Sequence, residues 1–168
     1  MKKFVMVLGV VLLMVLSGCA SAEEKRAELQ SEFNSLLKLT IDGSGIDPDL
    51  FTYTKNKSID YQAVSDGSYA PLEACDYIGN GKNKWVLRSD LEYMTSHTAE
   101  EVKAKSEHMR QVWADQGLEV RDVAAVNGMI QIAVDTDSGL TMGYVVSSSK
   151  EAINVSSTCT ADLDPDKQ

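Results

Sequence analysis

The groups able to do chemistry in this chain are few, beginning with two histidines, His97 and His108, among 168 residues. His97 directly precedes Thr98, which reads as a helix cap, so it is expected as an exposed turn residue; His108 falls between Glu107 and Met109 on a solvated helix face. No His-x-x-x-His or Cys-x-x-Cys spacing occurs to hold a metal. Serines cluster at Ser147-Ser148-Ser149 and Ser156-Ser157 without a Gly-x-Ser-x-Gly elbow, and a triad would have to recruit one of the two histidines. Asp42, Asp47 and Asp49 form a loose acidic group that could support hydrolysis if at least two of them converged in a cleft. Asp135-Thr136-Asp137-Ser138-Gly139 starts like a calcium loop but places Gly139 where an oxygen ligand belongs, and so reads as a hairpin turn. Gly79-Asn80-Gly81-Lys82 lacks the strand-loop-helix setting of a phosphate cradle. No metal or cofactor is expected.

Four tyrosines, Tyr53, Tyr61, Tyr69 and Tyr77, remain as a candidate binding surface. They lie eight residues apart, but no other residue class follows that period, so the spacing does not mark a repeat. Amphipathic rings on a loop offer contact area at low entropic cost and could line a groove against a sheet. The plainer role for them, with Phe51, is to seal the edge of the core.

The elements that must position these groups begin with an export signal. Lys2 and Lys3 precede thirteen residues, Phe4 to Leu16, that are apolar but for Gly9, which is signal-peptide length and short of the about 20 residues that cross a bilayer. Leu16-Ser17-Gly18-Cys19 resembles the lipobox of bacterial lipoproteins. That resemblance implies removal of residues 1–18, diacylation of Cys19 and anchoring to the extracytoplasmic face of the cell membrane, since two acyl chains hold where one binds only marginally. An ordinary secretory signal cleaved at Ala20 or Ala22 is the alternative. With Cys19 assigned to lipid, Cys75 and Cys159 are left as the possible pair, and an exported compartment favours their disulfide over two free thiols.

Removing residues 1–18 takes away two lysines and no acid, leaving 14 basic and 25 acidic residues, a net formal charge of −11. Such a body repels nucleic acid and gains nothing from an anionic lipid surface. Its roughly 150 residues suit one core.

The expected fold class is α+β. A helix spans about Ala22 to Leu39, opened by the capping box Ser21 and Glu24 and stopped before Gly43. Residues 42 to 83 are irregular, with short strands possible near Leu50–Thr54 and Ser58–Ala63. Trp85, Leu87, Leu91 and Tyr93 alternate with Arg88, Asp90 and Glu92 as a half-buried strand, and Thr98 with Glu101 caps a helix to about Gln116. Four antiparallel strands follow, turning at Asn127-Gly128, Asp137-Ser138-Gly139 and Ser148-Ser149-Lys150. The parity of Ile153 and Val155 points Cys159 inward. The result is a five-stranded antiparallel sheet in the order β-α-β-β-β-β, with one helix across a face and an N-terminal helix before it. The domain boundaries are a signal peptide at 1–18, a lipidated N-terminus and helix at 19–41, one domain at 42–160 and a frayed polar tail at 161–168.

The lipobox, a cysteine before a Trp-bearing strand, a helix with Trp113 four residues before Gly117, a hairpin meander and a terminal Cys159 together resemble small cell-envelope lipoproteins of actinobacteria. Where those relatives often end the sheet in Ser-Pro-Cys, this chain has Ser157-Thr158-Cys159. The resemblance implies an envelope-facing, non-enzymatic domain. The lack of a catalytic constellation, the lipid anchor and the loop tyrosines point to a module that binds an envelope protein, a lipid or a small apolar ligand; a hydrolase using the loop carboxylates and a structural surface protein are the alternatives.

Overall fold

A computed structural model describes residues 21–53, 57–76, 84–126 and 128–165. The signal region, Cys19, Tyr77 and Asn127 lie outside them. Helix α1, Ala22–Ser44, opens with the expected capping box, the Ser21 hydroxyl accepting from Glu24 N and the Glu24 carboxylate from Ser21 N. It runs five residues past the predicted end at Leu39. Ile41 extends the buried row Phe33–Leu37 by one more turn, and the left-handed cap is Gly45 rather than a residue before Gly43. Gly43 stays helical and lets a second helix come close: a Cβ there would sit 2.8 Å from Val112 Cγ1. The helix therefore crosses the boundary drawn at residue 41.

After a 3₁₀ turn at Pro48–Leu50 come β1, Thr52–Tyr53, and β2, Lys57–Ser58, two residues each. The strand expected over Ser58–Ala63 is replaced by helix α2, Tyr61–Asp66, because the Asp60 carboxylate accepts from Ala63 N and caps a turn there, which Gly67 ends with φ +83°. Next are β3, Leu72–Asp76, and β4, Lys84–Met94, then helix α3, Ala99–Ala114, capped by Thr98 and Glu101. The meander follows as β5, Val120–Val126, β6, Met129–Asp135, β7, Thr141–Val146, and β8, Lys150–Ser156.

The antiparallel sheet has the order β2-β1-β4-β8-β7-β6-β5, with β3 also paired to β4. It has more strands than the five expected, because β1, β2 and β3 come from the stretch that shows no lasting apolar period. Two helices rather than one cover its inner face: α1 lies over β7 and β8, and α3 over β5, β6 and β7. Phe33, Leu37, Ile41, Met109 and Trp113 meet Leu91, Met142, Tyr144 and Ile153 there, all fully or almost fully buried. The Trp113 indole donates to Thr40 Oγ1 at 3.0 Å, tying α3 to α1 within the core. On the outer face the long side chains pair with one another, Arg121 with Asp135 at 2.6 Å and Arg88 with Asp90 at 2.7 Å, while Asn154 donates to Asp90 at 2.7 Å.

Beyond β8 the strand parity fails. Ser157 is still buried, but Cys159 is exposed instead of inward, since regular pairing stops at Ser156 and the chain turns toward a 3₁₀ helix at Ala161–Leu163. That helix corrects the frayed tail: Leu163 is buried against the core, and the Thr160 hydroxyl accepts from Asp162 N to cap the turn.

Candidate functional site

Strand β4 organises the site because its two edges are used unequally. On one edge β8 and the residues after it run the whole length, from the Met94–Lys150 pair to the bridge between Trp85 and Thr160. The other edge is divided, with β1 at Leu91 and Glu92, and β3 from Lys84 to Leu87. Between these short strands lies a hollow of about 370 Å³, walled by Tyr53, Ile59, Tyr69, Pro71 and Leu72, with Asp60 and Glu73 also lining it.

Two of the predicted tyrosines therefore meet. The Tyr53 hydroxyl lies 3.3 Å from Glu73 Oε1 and 3.4 Å from the Arg88 carbonyl oxygen, which fixes the ring across the gap. Burial, and then the nearby Glu73 carboxylate, push the Tyr53 phenol up to about 12. Tyr69 reaches deeper. Its hydroxyl is 3.3 Å from Oγ of the buried Ser89, its carbonyl accepts from Asn34 Nδ2 at 2.9 Å, and its ring stands 6.5 Å from that of Phe33. Burial raises its phenol pKa as well. Both rings are neutral at pH 7, amphipathic and held by the frame.

Tyr61 is elsewhere. It projects from α2 onto α1, donating to Asp42 and lying under Lys38, whose Nζ is 5.6 Å from the ring centroid. Of the three loop acids, Asp42 is thus engaged by Tyr61 and by Lys38 at 2.5 Å, while Asp47 caps the 3₁₀ turn by accepting from Asp49 N. All three are exposed. No group of three or more potential metal ligands occurs among the described residues.

Cys75 and Cys159 form a disulfide with their Cα atoms 6.0 Å apart. Its halves adjoin the two partners of Trp85: Ala74 pairs with Trp85 on one edge of β4, and Thr160 bridges to it on the other. The bond therefore clamps β3, and with it the Leu72–Glu73 wall of the hollow, to the end of the meander.

A second polar group went unread in the sequence. Glu151 on β8 has no solvent exposure, and its Oε1 lies 2.8 Å from His97 Nε2 and 2.9 Å from Lys105 Nζ, while Oε2 accepts from the Tyr144 hydroxyl. His97 is nearly buried rather than an exposed turn residue, because the chain leaving β4 is held back against the turn between β7 and β8 by bonds from Thr95 N and His97 N to the Ser149 and Ser148 carbonyls. Burial and the Glu151 carboxylate drive the Tyr144 phenol pKa upward. The missed signal was parity: Glu151 shares the inward face of Ile153 and Val155. None of these four residues lines the hollow between β1 and β3.

No family profile matches the chain, and no curated protein does. Among solved structures, a DUF4853 family protein from Actinomyces odontolyticus is similar at 14% identity and a TM-score of 0.46, over 84% of this chain and 70% of its own. A protein assigned as the lipoprotein LppA of Mycobacterium tuberculosis is similar at 16% identity and a TM-score of 0.42, over 86% of this chain and 82% of its own.

Proposed function

We propose that the chain is a cell-envelope lipoprotein, held to the membrane by acylated Cys19, whose domain works as a binding module rather than as a hydrolase. The binding reading is carried by the hollow between β1 and β3, where Tyr53 and Tyr69 present fixed neutral rings beside Ile59 and Leu72. A volume of about 370 Å³ lies at the small end of ligand pockets, which are mostly apolar with a few placed polar groups. The occupant is a small ligand or one partner side chain with an apolar body.

Anchoring is supported by Leu16-Ser17-Gly18-Cys19 and by the disulfide, a bond at home outside the cytosol. No helix among the described residues is long and apolar enough to cross a membrane. Helix α1 starts at Ala22, three positions after Cys19, and its Phe33–Ile41 row is buried in the body, so the domain sits close to the bilayer. A binding role over a hydrolytic one is favoured because Asp42 and Asp47 are engaged in local bonds outside the hollow.

Two measurements test this. Cys19→Ser should move the full-length chain from the membrane to the soluble fraction and abolish palmitate labelling; continued retention sinks the anchor. Photo-crosslinking from position 69 in cells should capture a discrete adduct that is lost with Tyr53→Ala. Equal capture from an exposed outer-face position such as 121 would sink the binding reading.

A further inference from the structure

We propose that the hollow takes an organic cation, an ammonium group on an apolar body, seated against the Tyr53 and Tyr69 rings and facing the carboxylates of Glu73 and Asp60. This rests on the reading of the hollow as a binding site and adds the chemical class of its ligand.

Among the described residues the lining has one sign of charge. There Asp60 and Glu73 are exposed carboxylates, and the other described lining groups are aromatic, apolar or a serine hydroxyl. Each acid is fixed at its place: the Asp60 carboxylate by its bond to Ala63 N, and Glu73 by the Tyr53 hydroxyl. The neighbouring Arg88 guanidinium bonds to Asp90 at 2.7 Å and does not line the hollow. An anion entering would meet two carboxylates and two electron-rich ring faces, with an acidic body behind them. A neutral apolar guest would gain the walls and leave the charge unused. A cation gains both, since a ring face attracts an ammonium through its quadrupole and a carboxylate adds Coulombic attraction at a partly desolvated site. Burial keeps the Tyr53 phenol protonated well beyond neutral pH, so the ring stays an uncharged platform.

The test uses the full chain in a maltoside detergent and three probes of one shape: choline, the neutral 3,3-dimethylbutan-1-ol and the anionic 3,3-dimethylbutanoate. Ligand-observed NMR on their shared methyl groups reads binding. Choline should bind about tenfold tighter than the neutral probe, and the anion not at all. Glu73→Gln, a change at an exposed side chain, should weaken choline by about three- to tenfold and leave the neutral probe unaffected. Tyr53→Phe should keep most of the affinity and Tyr53→Leu lose it. Equal binding of choline and its neutral isostere overturns the cation assignment while the binding reading stands. Failure of all three probes overturns both.

Discussion

His97 Nε2 lies 2.8 Å from Oε1 of Glu151, a carboxylate with no solvent exposure at the end of the apolar row formed by Ile153 and Val155. The two Glu151 oxygens are met by three polar groups. His97 comes from the segment between β4 and α3, Lys105 from α3 and Tyr144 from β7, so three separate parts of the chain converge on one acid. The network fixes how α3 is laid over the sheet.

Removing the carboxylate should therefore cost more than a surface ion pair. Glu151→Ala is expected to destabilise the fold by about 3 to 5 kcal/mol, since it strands the buried partners, and Tyr144→Phe by about 1.5 to 3 kcal/mol. Urea unfolding followed by fluorescence of the buried Trp113 measures both. A loss under about 0.5 kcal/mol for Glu151→Ala would place the group among surface pairs and refute the network.

The tyrosines predict an alkaline limit. Tyr53 and Tyr144 hold their protons above the ordinary value of 10.0, so between pH 10 and 12 the unfolded chain binds fewer protons than the folded one. Their contribution to stability is complete below pH 10 and disappears as pH rises through the folded-state values. Phenolate absorbance should show Tyr53 titrating near 12 and Tyr144 ionising only with unfolding. Tyr144→Phe should flatten the alkaline slope of stability, and an unchanged slope would remove that assignment.

Much of the scaffold is legible in the sequence where one rule acts alone. Both capping boxes, the alternation along β4 and the meander are local patterns, and each forms where the residues place it. The region from 42 to 83 is legible only at β1, which falls within the strand expected near Leu50–Thr54; β1 and β3 are held by pairing to the edge of β4 and β2 by pairing to β1, and none carries an apolar period of its own. Asp60 shows the local competition: one side-chain cap outweighs the strand propensity that follows it. The hollow was half legible, since Tyr53 and Tyr69 could be named as binding candidates, but only the fold separates them from Tyr61. Glu73 and Ser89 could not be read as their partners, because each contact joins positions 20 residues apart in the sequence. Glu151 is not legible as a core group because a strand carboxylate ordinarily faces water, and only its parity with Ile153 and Val155 turns it inward.

The close approach of α1 and α3 gives a third prediction. Gly43→Ala should destabilise by about 1 to 3 kcal/mol, because its methyl would meet Val112 Cγ1 at 2.8 Å and neither helix backbone can withdraw without disturbing the Trp113–Thr40 bond. Val112→Ala should relieve that clash, so the double variant should be more stable than the sum of the single effects. Strict additivity in the cycle would show that the two residues do not meet.

The disulfide supplies the last prediction, because it links the stability of the domain to the shape of the hollow. Closing a loop of 84 positions is worth about 4 to 5 kcal/mol in the chain-entropy model, so Cys75→Ser or reduction should lower the unfolding midpoint substantially. The loss should not be spread evenly. Cys75 lies in β3, an edge strand whose partner is β4 alone, whereas β7 and β8 are paired on both sides and covered by helices. Hydrogen exchange in the reduced protein should therefore rise first in Leu72–Asp76 and in the residues after β8, at conditions where β7 remains protected. Since Leu72 and Glu73 form one wall of the hollow, its occupancy should fall in the same range, well before β7 loses its protection. Simultaneous loss of protection in β3 and β7 would mean that the bond stabilises the whole domain without specifically guarding the hollow.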